Sequence, residues 1–509
     1  MGQKKQPSTD PVAEPKKRRR VDIADVDAGV EAKDCIKIYL VSSKEEVGVS
    51  DSFCIDPVDL NSFFDEDGKI YGYQELKITV WVNIISFHSY ADITFKGTSD
   101  RGKGITDLKS ALQSIFAETL VESKDKFLQT FSTETQFIRF PHIASIRSAV
   151  STGEVMQHKA SNGHVSHLEE AVSDLEVIDI NILSSSLSSA LSIFICKDCV
   201  FVNEFHQLMC LNLGQVVRMV VGNMATGHLY SRLIPLVLLL VDGSNPIDVT
   251  DPRWELYLLI QKTEDLQGDI QHRLLGFAAL YRFYHYPDST RIRLSQILIL
   301  PPYQRKGYGS YLVEVLSNIA IAENVYDFTV EEPLDSFQHV RTCVDIKHLL
   351  AFEPIQPAID SAVLSLKEGK VSKKIHAPRF VPPLSAVDDV RKTLKINKKQ
   401  FLQCWEILIY LSLHPVDKCI EDYFTIISNR VRADILGKDS GTAGKRVIDV
   451  TTTYDQDMSF VMFRSKDGEP SSVQMDTTQT NQEQQLQELV DERIREIKLI
   501  AQKVSPPCA

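Results

Sequence analysis

Long apolar runs are missing from this sequence. The longest, residues 233–241, is nine residues long and contains Pro235, whereas a helix that crosses a membrane needs about twenty. The first thirty residues hold no apolar core of the kind that marks a secretion signal, so neither membrane insertion nor secretion is expected. Cysteine is sparse, with nine in 509 residues. That is too few for a disulfide scaffold, and the thiols are expected to be reduced, as in a cytosolic or nuclear protein. Positive charge is in deficit: 56 Lys and Arg stand against 68 Asp and Glu, a formal net charge of −12. General nucleic-acid binding calls for the opposite sign; a basic substrate suits this balance better. Glycine (23) and proline (21) are too few for a collagen-like or wholly disordered chain. At 43% hydrophobic and 24% charged residues, the chain has material for about three folded domains.

Residues 1 to about 33 lack aliphatic periodicity and carry five consecutive cations, KKRRR at 16–20, directly after Pro15. They read as a disordered tail with a nuclear-import signal. Order is expected from Cys35. Residues 36–41 and 78–84 have the β-branched and alternating character of strands, and Leu108, Leu112, Ile115 and Leu120 recur at helical spacing. Between them Asp65, Glu66 and Asp67 form an acidic loop closed by Gly68. This α+β region is expected to end near residue 150, with 151–174 as a linker.

Strands are then expected at 236–241, 255–260, 275–281 and 294–300, followed by a helix over about 307–323 and a strand at 326–330. Strand, turn, helix, strand in that order implies an α/β unit with parallel pairing across the helix. Three prolines within 377–383 mark a boundary. Beyond it the signal is helical: Phe401, Trp405, Leu408 and Leu411 share one face, and Tyr423, Ile426 and Ile427 begin another. Residues 465–481 read as flexible. Residues 482–504 form a last amphipathic helix with Leu486, Val490, Ile494, Ile497, Ala501 and Val504 on one face, expected to dock on its own domain, with a partner coiled coil as the alternative.

The segment richest in chemistry runs from Ser295 to Ser310. A strand ends at Leu300, two prolines stop sheet pairing, and Gln304, Arg305, Lys306, Gly307, Tyr308 and Gly309 lead directly into an amphipathic helix. Glycines there let a ligand approach the backbone closely. The first N–H groups of the helix form an anion site, reinforced by two cations, so the ligand should carry phosphates. The pattern is neither a Rossmann fingerprint nor a Walker A loop. Cys196, Cys199, His206 and Cys210 have the spacing of a zinc site, but apolar neighbours suit buried thiols equally well, and no metal is expected.

Gln/Arg-x-x-Gly-x-Gly/Ala between a strand and a helix resembles the acetyl-CoA pyrophosphate loop of the GNAT superfamily of N-acetyltransferases. Further segments narrow the match: IYGYQELKI at 70–78, DPRW at 251–254, YRFYHYPD at 281–288, RIRLSQ at 291–296 and DFTVEEP at 327–333. Together, in this order, they resemble the catalytic subunits of type B histone acetyltransferases, over roughly residues 36–90 and 236–350.

The resemblance implies acetyl-CoA as co-substrate, held by the strand backbone at Ile297, Leu298 and Ile299 and by the loop Gln304, Arg305, Lys306, Gly307, Tyr308, Gly309 and Ser310. It implies Glu331 as general base, with Glu332 assisting by charge; His285 and His339 are alternatives. It implies histone-tail contacts at Asp65, Glu66, Asp67, Tyr281, Arg282 and Phe283. Gly68 stands where some relatives carry an acidic residue, and Arg282 has the same charge as the substrate. The implied activity is acetylation of lysines in newly made free histones, chiefly the tail of the fourth core histone. A WD-repeat histone chaperone is the implied partner, and the implied location is nucleus and cytoplasm. Acetylation of another amine or of a non-histone protein, and a non-catalytic histone-chaperone role, are the alternatives.

The expected architecture is multidomain, α+β and α/β. It comprises a tail (1–33), a mixed-sheet N-terminal histone-binding domain (34–165), a GNAT-fold acetyl-CoA domain (172–370), a helical C-terminal domain (380–464), and a flexible segment with a terminal helix (465–509).

Overall fold

The computed structural model describes residues 29–133 (except 50, 59, 61–62, 65–67 and 101–103), 175–178, 214–264 (except 223), 270–368, 380–413, 419–439 and 479–505. The basic tail, the acidic loop at Asp65, Glu66 and Asp67, the 151–174 linker and the Cys196–Cys210 cluster therefore lie outside the described residues. By its packing the chain divides into two compact units: residues 1–137 with 230–246, and 138–229 with 247–509.

The first unit holds a four-stranded sheet in the order Phe53–Ile55, Ile36–Val41, Lys77–Asn83, Ser89–Thr94. The two inner strands run parallel, from Ile36 opposite Ile78 to Val41 opposite Asn83. Ile36, Ile38 and Leu40 alternate with more exposed residues along the first of them, the period-two pattern of a half-buried strand. Helix Leu108–Phe116 starts at Asp107, whose carboxylate accepts from the N–H groups of Lys109 and Ser110, both at 3.1 Å. That is an N-cap in the usual sense. Helix Lys124–Thr133 buries Phe127 beside the stacked pair Trp81 and Tyr90.

Residues 236–241 are not a strand. Residues 236–240 close helix Met224–Leu240, whose part from Tyr230 onward belongs to this unit. Leu233, Leu236, Val237 and Leu239 are buried, so an apolar run without polar interruptions gives no period to tell helix from strand. Arg232 donates to Ser86 O at 3.0 Å, and Val58 N–H donates to Leu239 O at 2.8 Å. No described helix is long and apolar enough to cross a membrane.

The second unit is built on a six-stranded sheet ordered Phe328–Val330, Ser289–Ile299, Ile270–His285, Trp254–Glu264, Gln215–Val220, Leu175–Ile178. Every neighbouring pair is antiparallel except the first. That parallel pair spans helix Tyr308–Ala322, the crossover expected from the sequence. Leu312, Val315, Leu316 and Ile319 of this helix share a core with Tyr257, Leu280, Ile292 and Leu294 of the sheet.

Beyond residue 380 the described chain is helical and belongs to the same compact unit as the sheet. The helices there are Leu384–Leu394, Lys398–Ser412, Cys419–Asp439 and Gln479–Val504. They share one core with Asp335–Leu350 and Gln356–Lys367, around Phe401, Trp405, Leu408 and Tyr423. The last helix begins three residues before its expected start and docks there through Val490, Ile497 and Ile500. Its Arg493 hydrogen-bonds the buried Glu406 carboxylate at 2.7 and 3.1 Å.

Candidate active site

The site is built where two parallel strands part. Strand Ser289–Ile299 pairs with Phe328–Val330 at only three positions, Ile292, Arg293 and Leu294. The N–H of Glu331 then donates to Leu294 O at 2.9 Å, and the shorter strand turns away through Glu332, whose φ is 35°. On the other side of the long strand, Leu280 lies opposite Leu294 but Ala279 lies opposite Gln296. Ser295 is therefore the extra residue of a β-bulge, a feature that bends a strand and re-aims its side chains.

From the bulge to Ile299 the long strand pairs on one side, with residues 276–279, and no strand pairs with its other edge among the described residues. Such an edge binds an extended ligand as though it were another strand. Ile297, Leu298 and Ile299 lie here. Ile297 and Ile299 pack towards the helix Tyr308–Ala322 core and Leu298 is buried, so their backbones are the parts available to a ligand.

Behind this strand sits Gly276, which sequence reasoning passed over. A Cβ at this position would lie 2.6 Å from both Leu298 O and Ile299 Cδ1. Gly276→Ala should force the open strand edge to shift, costing roughly 1–3 kcal/mol. A lower Tm together with weaker acetyl-CoA binding by titration calorimetry is the expected pair of results.

After Leu300 comes a single 3-10 turn, Pro301–Tyr303, and then exposed residues 304–307. Gln304 Nε2 donates to Ile299 O at 2.9 Å, tying the loop back to the strand. Gly307 caps helix Tyr308–Ala322 with φ 87° and no side-chain acceptor. A left-handed residue is what lets the chain enter the helix there, and glycine adopts it without strain. The Gly307 carbonyl accepts from Tyr311 N–H, and the N–H groups of Tyr308, Gly309 and Ser310 begin the helix without intrahelical partners. Arg305 and Lys306 flank them, neither paired with a carboxylate among the described residues. Gly309 has room for a Cβ, the nearest atom being Ile299 Cγ1 at 3.8 Å, so the fold itself does not demand glycine at 309. Three amides, a helix dipole and two cations suit a pyrophosphate, and the open edge beside them suits a pantetheine arm.

Glu331 is exposed at the point of divergence. Ser295 Oγ–H donates to its Oε2 at 2.7 Å. The other histidine candidates are engaged elsewhere. His285 stacks on Tyr326 with ring centroids 3.6 Å apart. His339 lies 2.8 Å from Lys503 Nζ, and burial and that ammonium hold its imidazole below the ordinary range.

Tyr281, Arg282 and Phe283 divide between the two faces of their strand. Tyr281 and Phe283 continue an aromatic row from Trp254, with centroid spacings of 4.9 and 4.6 Å. Tyr281 OH donates to Asp251 at 3.1 Å. Arg282 enters an ion network on the opposite face. It bonds Glu255 and Glu323, each at 2.6 Å, and Arg218 meets the same two carboxylates. Tyr257 OH also donates to Glu255, at 2.9 Å. Burial opposes ionisation of Glu255, but Arg282 and Arg218 outweigh it and hold the carboxyl below its usual range. The positive charge at 282 is thus neutralised within the sheet, where it ties two strands to the C-terminal end of helix Tyr308–Ala322.

Two family models match. Residues 28–242 match the histone acetyl transferase HAT1 N-terminus, and residues 247–336 match the GNAT acetyltransferase family. A histone acetyltransferase type B catalytic subunit of Arabidopsis thaliana is 56% identical over 507 residues, covering 99% of this chain and 98% of its own. One of Zea mays, with the same name, is 44% identical and covers 97% of this chain and 94% of its own. A Dictyostelium discoideum type B catalytic subunit is 31% identical over 195 residues, covering 37% of this chain and 38% of its own. The GNAT domain implies use of acetyl-CoA, in accord with the open edge and the amide loop. The chain is an acetyltransferase and belongs to the family of type B histone acetyltransferase catalytic subunits.

Proposed function

We propose that the chain transfers acetyl from acetyl-CoA to lysine side-chain amines of newly synthesised, free histones, chiefly in the tail of the fourth core histone. The observation that carries this reading is a coincidence at one bulge. An open strand edge, an anion-binding helix start and a carboxylate, Glu331, all adjoin Ser295 to Ser310.

The residues divide the work. Backbone groups of Ile297, Leu298 and Ile299 hold the pantetheine arm and aim N–H groups at the thioester oxygen, where charge builds as the amine attacks. The amides of Tyr308, Gly309 and Ser310, with Arg305 and Lys306, hold the pyrophosphate. A lysine amine has a pKa of about 10.4 and is protonated at neutral pH. Glu331, directly or through one water, takes that proton. The nitrogen then bonds to the thioester carbon, the carbon–sulfur bond breaks, and coenzyme A leaves as its thiol. No acyl-enzyme is required.

Tyr281, Phe283 and the acidic Asp65, Glu66 and Asp67 contact the tail, in keeping with a net charge of −12 opposite a basic substrate. A WD-repeat histone chaperone is the partner. The enzyme works in nucleus and cytoplasm, with residues 16–20 directing import.

Labelling rates on the intact fourth core histone, the same histone without its tail, and a polyamine test the substrate assignment. The intact histone should be labelled at least about tenfold faster than either competitor. Equal labelling of the tailless protein, or preference for the polyamine, overturns it.

A further inference from the structure

We infer that Ser295 is a positioning residue that fixes the direction of the Glu331 carboxylate; this rests on Glu331 being the base. Glu331 is held at three points. Its N–H bonds Leu294 O at 2.9 Å, the next residue is forced to φ 35°, and its Oε2 accepts from Ser295 Oγ at 2.7 Å. The first two fix the backbone; only the third acts on the side chain. An exposed glutamate otherwise samples several rotamers at each of its torsions. Among the described residues Oε1 has no hydrogen-bond partner, so the bond to Ser295 restrains one oxygen and leaves the other to receive a proton.

Ser295 has no counterpart on the neighbouring strand, because it is the bulge residue between the Leu280 and Ala279 pairings. A bulge gives up regular ladder bonds and survives where it re-aims a side chain. Here it falls at the last residue pair shared with the base-carrying strand, Leu294 with Val330. The bulge that opens the cofactor edge and the hydroxyl that orients the base are therefore one feature.

Steady-state kinetics on the full chain test this, with wild type, Ser295→Ala, Ser295→Thr, Glu331→Gln and the Ser295→Ala/Glu331→Gln pair. Ser295→Ala should lower kcat about tenfold, as expected when a reacting group is misdirected, with KM for acetyl-CoA and Tm unchanged. Ser295→Thr, which keeps the hydroxyl, should recover most of the loss. In the Glu331→Gln background, Ser295→Ala should add less than about twofold, because a residue acting through another has nothing left to act on. An equal loss in both backgrounds, or no loss in either, overturns the positioning role. Full activity of Glu331→Gln removes the base itself, a result the cycle separates from failure of Ser295 alone.

Discussion

Glu331→Gln should lower kcat by about 100- to 10,000-fold, the range for loss of a general base, while acetyl-CoA binds as before. Glutamine keeps the size of the side chain and still offers an oxygen to Ser295 Oγ–H, but its amide cannot accept the proton of an ammonium. The bond from Glu331 N–H to Leu294 O and the edge at Ile297 to Ile299 do not depend on the carboxylate. Without a base, the variant relies on the small fraction of lysine already deprotonated. That fraction rises about tenfold per pH unit below the amine pKa of about 10.4, so the residual rate should climb with pH more steeply than that of the wild type. Kinetics on free histones from pH 7 to 9, with calorimetric acetyl-CoA binding, measure both quantities. Wild-type turnover in the variant would remove Glu331 from the mechanism.

Arg341→Met should destabilise the second unit by roughly 3–5 kcal/mol, the cost of breaking a buried ion pair by removing one partner. Arg341 and Asp345 are 5% and 4% exposed on helix Asp335–Leu350, with Arg341 Nε 3.6 Å from Asp345 Oδ2. Burial pushes the guanidinium below its ordinary range and the carboxyl above its own. Each charge is tolerable because of the other. Arg341 also donates to Phe328 O at 3.0 Å, holding the strand that leads to Glu331. Once Arg341 is gone, Asp345 retains, among the described residues, the hydrogen bond from Gln400 Nε2 at 2.9 Å and the nearby His348. A carboxyl with a raised pKa in the folded chain binds protons more readily there than when unfolded, so it subtracts stability as pH rises. Arg341 pulls this carboxyl down, so its loss raises the folded-state pKa further, and the deficit relative to wild type should be smallest near pH 4 and grow towards neutrality. Urea unfolding at several pH values measures it. Adding Asp345→Leu should restore more than half of the loss, because the orphaned charge is removed; no recovery would contradict the ion-pair explanation.

The loop was legible because its determinants are local. Prolines at 301 and 302, a left-handed Gly307 and an apolar period starting at Tyr308 lie within a dozen residues, and each acts through the backbone of its own neighbourhood. Strand positions were legible as well, though the structure extends 275–281 to Ile270–His285, and the strand expected at 294–300 starts at Ser289 and ends at Ile299. Polar residues at strand ends carry ladder bonds without contributing to an apolar pattern. The Leu236 to Val241 segment misled because every residue in it is apolar; only the preceding turns, from Met224 to Pro235, extend it beyond ordinary strand length.

The bulge at Ser295 depends on register against Ala279 and Leu280, which no local spacing encodes. The adjacent polar pair Ser295 and Gln296, which interrupts the alternation of the strand, was the only local trace. Arg282 looked misplaced for the same reason. Its partner Glu255 is 27 residues away, and Arg218 meets Glu323 across 105, distances over which charge pairing leaves no sequence pattern.

Transfer of labelled acetyl from acetyl-CoA to free core histones by the wild-type chain is the most direct test of the central claim. We expect label on lysine side chains, with the fourth core histone labelled first. Binding of both acetyl-CoA and histone without any transfer would contradict the account.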